Sequence, residues 1–248
     1  MTKIAIMQPY FFPYLGYYQL INEADIFILY DDINFIKKGW INRNKLLSNQ
    51  EGSKFFTLPL EKQSSNKLIK EIKVSNNKWK KKLLNLLHHE YKHSPFFEET
   101  MDVINSCLQI NSQFISEINA YSINKISSHI GIKTKIISDC KINELEKDLQ
   151  SNQYIDGGIL YRKEVRIFEI CKHYNSNHYI NAIGGKKLYD PNLFEQENIK
   201  LNFIKMNTIS YHQKKSNSFI ENLSIIDVLM NCGKRKTQQH LSEYSLIN

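Results

Sequence analysis

The stretch that decides the fold runs from Ile4 to Asn44: IAIMQPYFFPYLGYYQLINEADIFILYDDINFIKKGWINRN. Its first part, Lys3 to Gln8, is short and apolar and reads as a buried strand ended by Pro9. A stiff aromatic loop, Tyr10-Phe11-Phe12-Pro13-Tyr14, then leads through Gly16 into a helix expected from Leu15 to Ala24. Ile26 to Tyr30 is a second, strongly apolar strand closed by Asp31 and Asp32. Strand, loop, helix and strand within about 30 residues make a βαβ pattern, which predicts a parallel pair with a right-handed crossover.

Outward from this unit, a polar, basic loop is expected from Asn34 to Asn49, and two short β segments at Lys54–Leu58 and Ile69–Val74. Three helices follow in the reading. The first runs from Asn77 to Tyr91, with Trp79, Leu83 and Leu87 among its apolar positions. The second starts at the Ser94-Pro95 pair, and the third spans Ser112 to His129 with Gly131 as its stop. Strand character returns at Thr134–Ser138, His178–Asn181 and Lys200–Lys205, and helical character at Arg162–Tyr174 and Ser224–Asn231. Asp190-Pro191 reads as the cap of a short helix, while Gly157-Gly158 and Gly184-Gly185-Lys186 read as turns, not as a P-loop. The expectation is an α/β fold: a mainly parallel, Rossmann-like sheet with helices on both faces. Residues 1–233 would form one domain with a helical insertion near 77–130, and 234–248 a polar, frayed tail.

Composition narrows the class. The chain has 248 residues, long enough to bury most of the surface its unfolded form exposes. Its excess of 33 Lys and Arg over 25 Asp and Glu, a net +8, suits polyanionic partners such as nucleotide phosphates or RNA, or else a solvated lysine surface. No RNA-binding motif is present, and nothing points to DNA. The cysteines Cys107, Cys140, Cys171 and Cys232 form no CxxC pair, so buried free thiols are expected. His89 and His93 are spaced by four on a helix without a third ligand, so no metal site is expected. No signal peptide or membrane-spanning run is evident, and the chain reads as cytoplasmic.

Ligands of parallel α/β sheets bind beyond the carboxyl ends of strands. Two loops leave such ends here, and they should gather Gln8, Tyr10, Asp31, Asp32, Lys37, Lys38, Trp40 and Arg43 around one cleft. The helix start near Gly16 can offer free N–H groups to a phosphate. Lys37, Lys38 and Arg43 are candidates for a pyrophosphate, with Asn42 beside them, and Tyr10, Tyr14 and Tyr17 for a base or sugar. Of Asp31 and Asp32, one is expected to reach the cleft as a general base, because neighbouring strand residues face opposite ways. His212, after a strand, is a further candidate base.

The same stretch resembles the WbqC-like family, at Met7-Gln8-Pro9, Pro13, Gly16-Tyr17, Leu20-Ile21, Asp25, Phe27, Asp31-Asp32, Lys37-Lys38, Trp40 and Asn42-Arg43-Asn44. That resemblance implies work on bacterial surface polysaccharides, among them O-antigen. It implies a transferase that N-acylates a nucleotide-linked amino-dideoxy sugar, with an aminoacyl or other acyl group. The activated donor is left open between an ATP-derived adenylate, a thioester and an aminoacyl-tRNA. A weaker resemblance links Tyr14-Leu15-Gly16-Tyr17 to the phosphate-binding motif of the nucleotidylyltransferase superfamily, although both motif histidines are absent. It implies an ATP-dependent carboxylate-activating enzyme. A non-catalytic nucleotide-sugar-binding protein is the third alternative.

Overall fold

The computed structural model describes residues 2–50, 52–76, 78–138, 162–213 and 218–248. Cys140, the Gly157-Gly158 turn and Asn77, the expected first residue of a helix, lie outside the described residues.

The opening βαβ unit forms as its pattern predicts. Strand β1 (Lys3–Met7) and strand β2 (Ile26–Leu29) pair in parallel, with Ile4 opposite Ile26 and Met7 opposite Leu29, and helix α1 (Leu15–Glu23) connects them. Strand β5 (Lys135–Ile137) adds in parallel beside β2. On the other side of β1 lie β6 (His178–Ala182) and β7 (Lys200–Met206), also parallel. The order β5-β2-β1-β6-β7 is closed by β8 (Tyr244–Ile247), antiparallel to β7. The chain thus builds outward from β1 first one way and then the other, the doubly wound arrangement, with its switch point between β1 and β6.

Alternation along the strands divides the core between the two faces. Ala5, Phe27, Leu29, Ile180 and Ile204 point into the larger core with α1, while Ile4, Ile6, Ile28 and Tyr179 point into a smaller one. That smaller core is covered by α5 (Arg162–His173) and α6 (Pro191–Gln196), through Ile167, Phe168, Ile170 and Phe194. Asp190 caps α6, accepting from the Asn192 N–H at 3.0 Å, as the Asp-Pro pair predicts. Helices α2 (Lys78–Tyr91), α3 (Phe97–Cys107) and α4 (Ile115–His129) contribute Leu83, Ile104, Ile118 and Ile123 to the larger core, continuous with the sheet residues. Gly131 follows α4 at φ 78°, the left-handed position expected of a helix stop. Cys107, Cys171 and Cys232 are buried free thiols.

Several expectations are corrected. The basic loop contains a strand, β3 (Arg43–Leu47), which forms a separate two-stranded hairpin with β4 (Ser53–Thr57). The segment Ile69–Glu71 is a 3₁₀ turn, not a strand. Helix α3 begins at Phe97, so Ser94-Pro95 precedes its cap residue, Phe96. The largest correction is at the C-terminus. Helix α7 (Ile225–His240) is two helical segments that meet at a kink at Gly233, and β8 then joins the main sheet, so residues 234–248 are not a frayed tail. Gly233, just past the expected helix end, is non-helical at φ 63° and ψ −178°, so the first helical segment ends there as expected and a second continues beyond the kink. Among the described residues, no helix is long and apolar enough to cross a membrane.

Candidate functional site

An open cleft of about 720 Å³ lies at the carboxyl ends of β1, β6 and β7. Its walls come from four places. Tyr10, Tyr14, Leu15, Gly16 and Gln19 belong to the loop after β1 and the start of α1. Ile183 and Gly184 follow β6, and Lys205 to Ile209 end and follow β7. Tyr211 and the segment from Phe219 to Leu223 complete the far wall, while Trp40, Asn44 and Lys45 form the near lip. The site therefore sits over the switch point, where this sheet type binds ligands.

Four expected residues line this cleft: Tyr10, Tyr14, Gly16 and Trp40. Gly16 is required there for space, since a Cβ would meet the Tyr14 ring at 2.5 Å. The remainder are placed elsewhere. Tyr17 is buried, and its hydroxyl donates to the Gln8 carbonyl at 2.9 Å. Gln8 is half-buried and holds the loop through that carbonyl. Lys37 and Lys38 are exposed on the turn before Trp40, outside the cleft. His212 is exposed, while its neighbour Tyr211 turns inward.

The Asn42-Arg43-Asn44 segment, expected to bind ligand, is bonded to the chain's own carbonyls. Asn42 Nδ2 donates to the Leu58 carbonyl at 3.1 Å, and Asn44 Nδ2 to the carbonyls of Phe11 and Phe12 at 3.2 and 2.8 Å. Arg43 donates to the carbonyls of Gly39, at 3.3 Å, and Lys38, and its guanidinium stacks 4.5 Å above the Phe55 ring. From α4, the buried Asn119 donates to the carbonyls of Pro9 and Ile41, at 2.9 and 2.7 Å. Loop carbonyls without a strand partner need such donors when buried. These amides thus brace the aromatic loop that forms one wall of the cleft.

Asp31 and Asp32 sit beyond β2 and do not line the cleft. Asp32 is buried and ion-paired with Lys70, whose backbone N–H donates to the Asp31 carbonyl at 3.2 Å. Asp31 receives the Ser116 hydroxyl, and burial, with the charge of Asp32 beside it, raises its carboxyl to about 6. It is a carboxylate that titrates near neutrality, beside β2 and away from the described cleft.

The sequence reading missed a buried carboxylate on α7. Asp227 accepts from the Tyr91 hydroxyl at 2.8 Å, the Tyr211 hydroxyl at 2.7 Å and Gln213 Nε2 at 3.3 Å. Burial pushes its carboxyl up and these donors pull it back, so the cluster works as a knot joining α2, α7 and the wall residue Tyr211. Lys45, Lys205 and Glu221, the charged groups lining the cleft among the described residues, were also missed. The rule applied to β1 and β2 would have found Lys205, because it ends β7.

These features define a doubly wound α/β protein whose aromatic- and amide-walled cleft lies at the sheet's switch point. The chain belongs to the WbqC-like protein family, which matches residues 8–239. It is similar to an uncharacterised protein of Mycobacterium tuberculosis, Rv1507c, with 26% identity over 235 residues that cover 94% of this chain and 95% of the relative. No solved structure matches it.

Proposed function

We propose that this protein is an acyl or aminoacyl transferase that N-acylates a nucleotide-linked amino-dideoxy sugar for O-antigen or a related glycan. The observation that carries the reading is the cleft at the switch point. Its volume falls in the range of small-molecule sites, its walls are mainly aromatic and apolar, and its charged groups are few. Tyr10 and Tyr14 offer faces for a sugar or base, and Lys205 offers charge for phosphates. Glu221 is the carboxylate among the described lining residues, and it takes the role first given to Asp31, Asp32 and His212. It would hold the sugar ammonium and take its proton, which frees the lone pair with which the nitrogen attacks. The N–C bond then forms as the bond between the acyl carbon and its activating group breaks.

Glu221→Gln should lower kcat by roughly 10²–10⁴-fold with little change in KM, the loss expected when a general base is removed. A variant that keeps its full rate would remove Glu221 from the chemistry. The doubly wound order also suits the second reading, an ATP-dependent carboxylate-activating enzyme. Against it, Tyr17, at the end of the candidate phosphate motif, is buried and bonded to the Gln8 carbonyl.

A further inference from the structure

Beside the cleft stands a feature that a small sugar nucleotide does not use up. In the β3–β4 hairpin, Lys45 pairs with Phe55 and Arg43 with Thr57, so these side chains share one face, while Asn44, Leu46 and Phe56 are buried on the other. On that outer face Phe55 is 47% exposed, and Trp40, in the segment leading into β3, is 41% exposed, unusual for large rings. The two rings lie 6.2 Å apart at 31°, with the Arg43 guanidinium over Phe55 and Lys45 Nζ 5.2 Å from its centroid. The stack of guanidinium, Phe55 and Trp40 holds the indole at the cleft mouth. From residue 33 to residue 50 the chain has no acidic residue and carries Lys37, Lys38, Arg43 and Lys45.

Exposed rings interleaved with cations are the elements by which proteins hold single-stranded nucleic acid, with bases on the rings and phosphates on the cations. The cleft behind already has the volume for one small ligand. We infer that the Trp40–Phe55 ledge, with Lys37, Lys38 and Lys45, binds the single-stranded 3′ end of an RNA that carries the acyl group. This inference rests on the transferase reading and names its donor. The balance needs no other reagent. The sugar amine attacks the ester carbonyl on the terminal ribose, the N–C bond forms, the C–O bond to the ribose breaks, and the ribose hydroxyl leaves with the proton.

The test is binding of a short single-stranded RNA, with uridine diphosphate as the small-ligand arm. Trp79 is buried, so quenching of tryptophan fluorescence reports on Trp40. RNA should quench it, while uridine diphosphate at the same concentration should not. Trp40→Ala should weaken binding of labelled RNA about 5- to 100-fold, and Trp40→Phe, which keeps a ring, should restore it. The double change Lys37→Gln with Lys38→Gln should reduce the salt slope of log K by about 1.4. RNA binding that ignores Trp40, or equal quenching by the diphosphate, would overturn the inference. Acyl transfer from a non-RNA donor without RNA binding would overturn it while leaving the transferase standing. RNA bound as described, with no transfer from any donor, would instead remove the transferase.

Discussion

Phe12 holds its backbone at φ 44°, a left-handed conformation that costs a bulky residue energy, and it does so fully buried. The neighbours that impose it are visible. Asn44 Nδ2 and the Ser224 hydroxyl both donate to the Phe12 carbonyl, at 2.8 and 2.7 Å. Asn44→Ala removes that bond and the one to Phe11, and should cost about 2–3 kcal/mol in urea unfolding. The same variant should loosen the Tyr10–Tyr14 wall, seen as faster amide exchange there. A cost below about 0.5 kcal/mol would show that Ser224 and packing alone hold the loop.

A second prediction at this scale concerns Asp31. Its carboxyl is raised to about 6 by burial and by Asp32, above the ordinary 3.8 it would have when unfolded. Between those values the folded chain binds more protons than the unfolded one, so stability falls as pH rises through that window. Asp31→Asn should flatten this part of the pH–stability curve and raise stability at pH 7. A carboxyl resonance of Asp31 that titrates near 4 instead of near 6 would contradict the assignment.

At the scale of elements, α7 shows what a helix-ending glycine leaves unsaid. Gly233 does end a helical segment, as glycine after a run of apolar positions normally does, but a second segment starts directly beyond it, and the chain turns there against the Phe96 ring. A Cβ at Gly233 would lie 2.5 Å from that ring, and φ 63° is unfavourable for any residue with a side chain. Gly233→Ala should therefore lower stability by about 1–3 kcal/mol, measured as a shift in urea midpoint. The kink allows residues 234–240 to reach back, so that the His240 carbonyl receives Gln19 Nε2 at 2.8 Å and β8 can close the sheet.

The two misread strands have related causes. In β3 the inward positions are Asn44 and Leu46, so half of its buried face is polar and the alternation reads as loop. In β8 no residue is buried, because it lies at the sheet edge. The central strands β1 and β2 were the most legible because most of their residues are buried, on both faces, and therefore apolar, as Ile26 to Leu29 shows.

For the whole molecule, the doubly wound order follows from the alternation of apolar strands and helices, and the order then locates the cleft. The site residues were legible mainly where the carboxyl-end rule was applied to β1, which led to Tyr10, Tyr14 and Gly16, with Trp40 alone coming from the loop after β2. The polar segment Asn42–Asn44 carries the family resemblance, yet its amides and guanidinium are bonded to backbone carbonyls. A sequence motif does not tell whether a polar side chain faces a ligand or the chain itself, because both uses need the same donors. Lys205, Tyr211 and Glu221 come from segments far along the chain, and only the folding of β7 and α7 against α1 brings them to the cleft.

Turnover followed by mass spectrometry decides whether the cleft transfers an acyl group to an amino sugar. The full chain would be mixed with a panel of nucleotide-linked amino sugars, and with acyl donors supplied as aminoacyl-tRNA, as thioester, or as amino acid with ATP. The account predicts that one sugar nucleotide gains the mass of a single acyl group, and that Glu221→Gln suppresses the gain. A panel that binds in the cleft but gains no mass with any donor would contradict it, and would leave a protein that holds a nucleotide sugar without transforming it.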